Sequence, residues 1–334
     1  MKKRVKMVDI ARAAKVSQTT VSLVLNHVPN IRIADETRQR VLSVARELGY
    51  TPGPSLYDLD PARKRLFGVM INEISSAYPI NLIDGLNTWA DTQGAQLLVQ
   101  ITGGLPDHDE AALENFARFG IDTIVYARTF TAIVDVPPRL DAFRHVLLNC
   151  RRPDSRGLAV LPAERYGGAL ATDHLVAAGC RRIATITGDP WQLATAERLA
   201  GYHRALGRAG LARDAGLERR GDWSHASGFA QTLALMALPE PPDGIFCQND
   251  IMARGALAAL ASLGMDVPGA VRVIGYDDRD FARDLDPALS TVTLPHVEMA
   301  ERAMDQLAGE AQPGDRTTTI QGKLVVRKST MPDA

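Results

Sequence analysis

The sequence predicts two unlike parts, a small all-α head at the N-terminus and a larger α/β body built on parallel sheets. Charge is the first indication. Residues 1–50 hold ten Lys/Arg against four Asp/Glu, while the rest of the 334 residues holds 28 against 35, so a near-neutral total hides a basic head on an acidic body. The second is periodicity: three short runs before residue 50 repeat apolar residues every three to four positions, as helices do. The third is alternation: beyond Arg65, short apolar runs take turns with amphipathic stretches, the pattern of βα units and parallel sheets.

In the head, Met7–Ala14 places apolar residues at 7, 8, 10, 11, 13 and 14, with Asp9 and Arg12 three apart on one exposed face. Lys15-Val16 makes a turn. Ser17 is a good N-cap for a second helix over about Gln18–Asn26, in which Val21, Val24 and Leu25 face the first helix. A third helix over about Asp35–Leu48 carries acids in its first turn and a stripe of Val41, Leu42, Val44, Ala45 and Leu48, with Gly49 just past its end. Two short helices across a tight turn, closed by a third, match a helix-turn-helix module whose second helix enters a DNA major groove. Gln18 and Thr19 then face base edges or phosphates, and Lys2, Lys3, Arg4 and Lys6 suit phosphates. A solvated helical cap with no DNA role is the alternative on these grounds alone.

Cys150, Cys180 and Cys247 are widely spaced and set among apolar residues, which predicts reduced thiols and neither disulfides nor a zinc site. Asp9, Arg12 and Lys15 interrupt any export signal after the basic start, and no run approaches the ~18 apolar residues of a membrane span. A cytoplasmic protein without membrane contact is expected.

In the body, strands are expected at Leu66–Ile71, Gln96–Ile101, Thr123–Tyr126, His145–Asn149, Ile183–Thr187, Gly244–Cys247 and Val271–Tyr276. Helices are expected at Ile80–Gln93, Glu110–Phe119, Gly167–Ala178, Ala196–Ala209, Ala226–Met236 and Asp250–Leu263. Such folds bind ligands at the carboxyl ends of their strands, and two of them make a cleft the natural site.

The head carries Val8-Asp9-Ile10-Ala11-x-x-Ala14-x-Val16-Ser17-x-x-Thr20-Val21-Ser22-x-Val24-Leu25-Asn26, then Thr37-Arg38-x-x-Val41, Leu48-Gly49-Tyr50 and Pro52. The body carries Arg198-Leu199-Ala200-Gly201-Tyr202, Gly221-Asp222-Trp223-Ser224, Asn249-Asp250-x-Met252-Ala253, Val273-Ile274-Gly275-Tyr276-Asp277-Asp278 and Leu324-Val325-Val326-Arg327. Through these motifs the chain resembles the LacI/GalR family of transcriptional regulators over nearly its whole length. The resemblance implies a helix-turn-helix head (1–50), a hinge (51–64) and a bilobal effector-binding and dimerisation domain like a periplasmic binding protein (65–330). One lobe would take about 65–162 and 293–321, the other about 163–292 and 322–330. It also implies a homodimer on pseudo-palindromic double-stranded operator DNA, repression as the usual outcome, and control by a small-molecule effector, a sugar or sugar acid, with a purine as the alternative.

The resemblance assigns DNA contacts to Lys6, Ser17, Gln18, Thr19, Thr20, Ser22 and Asn26. Leu23 stands where the family commonly has an arginine that reaches DNA, which shifts specificity to Gln18 and Thr19. In the hinge, Leu56 and Leu59 lie three apart on one face of a one-turn helix, with Leu59 at the position of a minor-groove wedge. Gly53, Leu56, Asp58 and Asp60 depart from the family there, and a plain tether is the competing reading.

For the effector, the resemblance points to Tyr78, Arg198, Trp223, Asn249 and Asp277. Arg198 offers a planar fork to hydroxyl pairs or a carboxylate, or else pairs with an acid of the opposite lobe. Trp223 presents an aromatic face to a ligand or packs between lobes, and Asp250 reads as a helix N-cap. Arg128, following the third strand, and Cys150, where an Asp is common, suggest an anionic effector; a solvated Arg128 is the alternative.

No nucleophile elbow, P-loop, dinucleotide fingerprint or H-E-x-x-H motif occurs, so no catalytic residues, cofactor or metal are expected. A purely solute-binding protein would lack the basic head.

Overall fold

The computed structural model describes residues 6–25, 33–48, 50, 66–74, 81–309 and 316–331. In the head, α1 (Met7–Ala14), α2 (Gln18–Leu25) and α3 (Asp35–Glu47) enclose a core of Ile10, Ala14, Val21, Val24 and Val41, all without exposed surface. Lys15 takes a left-handed conformation (φ 55°), which ends α1 and lets the Val16 N–H bond back to Ala11 O at 3.0 Å. Ser17 Oγ then accepts from the Thr20 N–H at 3.0 Å and caps α2. Arg40 Nε donates to Ala14 O at 3.2 Å, tying α3 to the end of α1. Leu48, expected on the stripe of α3, lies beyond its end and is 40% exposed. Gly49 and Asn26 lie outside the described residues.

The body contains two parallel sheets. The first joins β1 (Leu66–Ile71), β2 (Gln96–Ile101), β3 (Thr123–Ile133), β4 (Arg144–Arg151), β5 (Leu158–Pro162) and β11 (Arg316–Ile320) in the order β11-β5-β4-β3-β1-β2. Side-chain alternation divides its faces. Val69, Ile71 and Val125 pack with α4 (Leu82–Gln93) and α10 (His296–Ala308), while Met70, Ile124 and Tyr126 pack with α5 (Pro106–Arg118). The second sheet runs β7-β6-β8-β9, from β6 (Ile183–Thr187), β7 (Glu218–Arg220), β8 (Gly244–Cys247) and β9 (Arg272–Ile274). One of its faces is covered by α6 (Glu164–Ala177) and α7 (Leu193–Arg208), the other by α8 (His225–Met236) and α9 (Asp250–Ser262). Helices α6 and α7 cross so closely that a Cβ on Gly201 would sit 2.2 Å from Arg165 O. A short antiparallel pair, β10 (Thr291–Val292) with β12 (Leu324–Val325), lies beside the second sheet. The chain passes between the sheets near 162–163, 293–295 and 320–323.

The expected all-α head and two-sheet α/β body are thus observed. The strands β5, β7, β10, β11 and β12 were not expected: β7 and β11 are mostly polar, and β10 and β12 are only two residues long. Helices α5, α6 and α7 begin three to four residues earlier than expected. Pro106 opens α5 as a first-turn proline, and Glu164 opens α6 ahead of the Gly167-Gly168 pair that obscured its start. Among the described residues no helix is long and apolar enough to cross a membrane, and no cluster of His, Cys, Asp and Glu could hold a metal.

Candidate functional site

The carboxyl ends of strands from both sheets face one cleft, whose cavity measures about 320 Å³. From the first sheet, β3 is interrupted by a bulge between Ala127 and Ala132, and the displaced residues Thr129, Phe130 and Thr131 line the cavity. The bulge is pinned by side-chain amides. Asn72 Oδ1 accepts from the Thr129 N–H at 2.9 Å, and Asn149 Nδ2 donates to Arg128 O at 3.1 Å. The Thr129 hydroxyl also reaches Glu73 Oε1 at 3.2 Å.

From the second sheet come Glu164, Trp191, Arg198, Trp223, Asn249 and Asp277. Arg198, on the buried face of α7, sends Nε to Glu164 Oε2 at 2.6 Å and Nη2 to Glu164 Oε1 at 3.0 Å; Nη1 donates to Gln248 O and lies 3.7 Å from Asp277 Oδ1. Its guanidinium also stacks 3.7 Å from the Tyr276 ring centroid. Burial opposes this charge, but Glu164, Tyr276 and Asp277 hold it protonated above the usual arginine range. The Thr131 hydroxyl, from the other sheet, lies 2.9 Å from Asn149 Oδ1 and 3.1 Å from Glu164 Oε1, so Glu164 joins both walls.

Backbone strain concentrates here. Among the described residues, six non-glycines have positive φ, and four of these line the cavity: Asn149 (59°), Trp223 (68°), Asp277 (108°) and Asp278 (54°). Left-handed backbone is costly for residues other than glycine and clusters at ligand-binding positions. The Trp223 indole fills the space over Gly188, where a Cβ would lie 1.9 Å from Cζ2. Its Nε1 is buried without a hydrogen-bond partner among the described residues, and so is Nε2 of His296, another lining residue. Burial pushes His296 down to about 4, so the imidazole is neutral at pH 7.

Of the residues expected at an effector site, Arg198, Trp223, Asn249 and Asp277 line the cavity together. Arg198 pairs with an acid of its own sheet's first helix, not with one across the cleft. Asn249, not Asp250, caps α9: its Oδ1 accepts from the Met252 N–H at 2.8 Å while its Nδ2 donates to Trp223 O at 3.0 Å. Asp250 is buried behind it, accepting from Thr291 Oγ1 and the Arg279 N–H, both at 2.7 Å.

Arg128 requires a correction. It neither lines the cavity nor stands in solvent. Its guanidinium turns into the lobe, bonded to the Tyr126 hydroxyl and 3.5 Å from Asp109 Oδ2. The positive charge that suggested an anionic effector is therefore spent elsewhere. The lining carries Glu73, Glu164, Asp277, Asp278 and Asp280 against Arg198 and Arg279. Tyr78 lies outside the described residues. Glu164, Thr131, Asn149, Trp191 and His296 were not anticipated; for Trp191 the signal available was its place in the loop after β6.

Comparison with known proteins covers both parts. Residues 6–53 match the model described as bacterial regulatory proteins, lacI family, and residues 172–330 match a periplasmic binding protein-like domain. The HTH-type transcriptional repressor PurR of Vibrio campbellii is 28% identical over 326 residues, covering 96% of this chain and 97% of the relative. The HTH-type transcriptional repressor CytR of Escherichia coli is 29% identical over 332 residues, covering 97% and 96%. Among solved structures, a lac repressor dimer bound to operator and the anti-inducer ONPF aligns over 98% of this chain and 99% of that one, at 26% identity and a TM-score of 0.75. The chain joins a LacI-family DNA-binding domain to a periplasmic binding protein-like domain. The transcriptional regulator CelR in complex with cellobiose also aligns over 98% of this chain and 100% of that one, at 28% identity and a TM-score of 0.67.

In this LacI-family head, Gln18 and Thr19 are exposed at the start of α2, and Lys6 is exposed just before α1. Ser17 is exposed but engaged in capping, and Thr20 and Ser22 are half-buried. Leu56 and Leu59, with the acidic hinge around Asp58 and Asp60, lie outside the described residues, as do Lys2, Lys3 and Arg4.

Proposed function

We propose that this LacI-family regulator is a homodimeric repressor of pseudo-palindromic operator DNA, released or recruited by a neutral, hydroxyl-rich effector of sugar size bound between residues 65–162 and 163–292. A regulator of this kind works in the cytoplasm, and it carries no catalytic residues. The observation that carries the reading is the joining of an exposed polar start of α2 to a cleft lined by carboxylates, amides and aromatic rings. Carboxylate and amide oxygens accept from ligand hydroxyls, while Trp191, Trp223 and Phe130 offer apolar faces. Gln18 and Thr19 would read bases, and Lys6 would neutralise phosphate. Ser17, Thr20, Ser22 and Asn26 would fix the helix in the groove, and Leu56 and Leu59 would meet the minor groove.

Two symmetric heads reading two half-sites explain the need for a dimer. The effector acts through its different affinity for the two arrangements of the lobes. The relatives include the Ribose operon repressor of Haemophilus influenzae, which favours a sugar. A flat nitrogenous ligand is the second reading, favoured by the three aromatic rings in the cleft.

Operator selection from random DNA followed by binding titrations tests the head. Gln18→Ala should cost about 1–3 kcal/mol and relax preference at one position of each half-site, whereas Lys6→Ala should weaken all sequences alike and lower the salt slope by about one. A chain that selects no palindrome, or whose Gln18→Ala variant keeps full specificity, would overturn the reading.

A further inference from the structure

We propose that Glu164 sets the charge selectivity of the cleft: by occupying the fork of Arg198 it makes the site take uncharged ligands and reject anions such as sugar acids and sugar phosphates. The proposal rests on the cleft being the effector site and assigns a specificity role to a residue so far without one.

An arginine recognises a carboxylate or phosphate by presenting two parallel N–H groups to it. In Arg198 those groups, Nε and Nη2, already meet both oxygens of Glu164 at 2.6 and 3.0 Å. Nη1 is committed to Gln248 O with Asp277 Oδ1 at 3.7 Å, and Tyr276 covers one face of the guanidinium at 3.7 Å. The side chains of Arg198 and Glu164 are only 4% and 3% exposed. An anionic ligand could take the fork only by displacing Glu164, which would leave a buried carboxylate without its cation, among the costliest arrangements a protein can hold.

The rest of the wall points the same way. Glu73, Asp277 and Asp280 line the cavity against one further cation, Arg279, and Asp278 is neutralised by Arg327 Nη2 at 2.7 Å from outside it. The groups without partners among the described residues, Trp223 Nε1 and His296 Nε2, are both uncharged and suit hydroxyl or ring oxygens. The Thr131 hydroxyl of the opposite wall lies 3.1 Å from Glu164 Oε1 and shares its one proton between that oxygen and Asn149 Oδ1 at 2.9 Å.

The test is calorimetric titration of the full-length protein with matched probes: D-glucose against D-glucuronate, D-galactose against D-galacturonate, D-ribose against ribose 5-phosphate, and inorganic phosphate. Wild type should bind no anionic member. Glu164→Gln preserves shape but removes the charge, leaving Arg198 free to pair, so at least one anionic probe should gain ~10-fold or more in affinity. That gain should vanish in Glu164→Gln/Arg198→Met. Anion binding by wild type that Arg198→Met abolishes would overturn the proposal, and this arm stands even if Glu164→Gln fails to fold. A folded Glu164→Gln chain, judged by circular dichroism, that gains no anion would overturn it as well. Operator binding is a separate readout, so failure of the regulator reading and failure of the Glu164 assignment are distinguishable.

Discussion

Phe130 and Trp191 meet edge to face across the mouth of the cleft, with ring centroids 5.3 Å apart and planes at 87°. Phe130 stands on the β3 bulge of one sheet and Trp191 on the loop following β6 of the other, so the pair spans both walls. Trp191 is nevertheless 67% exposed, a rim residue and not part of a core.

Trp191→Ala should therefore loosen the contact between the two walls with little effect on folding. An aromatic pair contributes about 0.5–1.5 kcal/mol, so effector affinity should fall by roughly 2- to 12-fold. Fluorescence provides the check. Of the three tryptophans, Trp89 and Trp223 are buried, so removal of Trp191 should shift the mean emission to the blue. An unshifted spectrum would place Trp191 in a buried environment and end this account.

Arg128 should matter to stability and not to ligand contact. It is the cation beside Asp109, whose Oδ1 is buried without a hydrogen-bond partner among the described residues, and the Tyr126 hydroxyl donates to Asp109 Oδ2 at 2.8 Å. Arg128→Met should cost about 3–5 kcal/mol by leaving that carboxylate uncompensated, and Arg128→Met/Asp109→Leu should recover much of the loss, since neither charge then remains. Denaturant melts of the two variants decide it; equal losses would mean that packing, not charge, is at stake.

Stability should decline from mild acid toward alkaline pH more steeply than the surface charge explains. Burial pushes Asp250 up to about 8 and Asp277 up to about 7 from an ordinary 3.8, each against hydrogen bonds or cations that pull the other way. Between roughly pH 4 and 8 the folded chain keeps protons that the unfolded chain has released, so the contribution is fully present below pH 4 and is lost as pH rises through the folded values. The slope is at most about 1.4 kcal/mol per pH unit for each group while it titrates. Asp250→Asn should flatten that decline, measured as Tm against pH; an unchanged profile would show that Asp250 is ionised throughout.

The head was legible because its information is local. Ser17 caps α2 within three residues, and Val21, Val24 and Leu25 reach the core by helical spacing alone. The βα alternation was legible for the same reason, down to the bounds of β1, β2, β6 and β8. Neither β7 (Glu-Arg-Arg) nor β11 (Arg-Thr-Thr-Thr-Ile) was, since mostly polar strands owe their existence to a neighbour and not to an apolar run of their own. At the cleft, motif reading brought Arg198, Trp223, Asn249 and Asp277 to one cavity, but it misread the partners. The cap of α9 falls on Asn249, whose extended backbone capping needs, and not on the adjacent Asp250.

The sequence by itself determined the division into a basic head and an acidic body, the helical faces of the head and the parallel-sheet class of the body. These follow from charge counts and from periods of 3.6 and 2 that any short stretch carries. Only the tertiary structure decided which charges meet. Arg198 and Glu164 are 34 positions apart and pair because α6 and α7 pack closely enough to exclude water. Arg128 turns inward to Asp109 because the β3 bulge sends the next three residues to the cleft in its place. Ion pairing depends on burial and on the convergence of strand ends, and neither exists until the sheets are assembled.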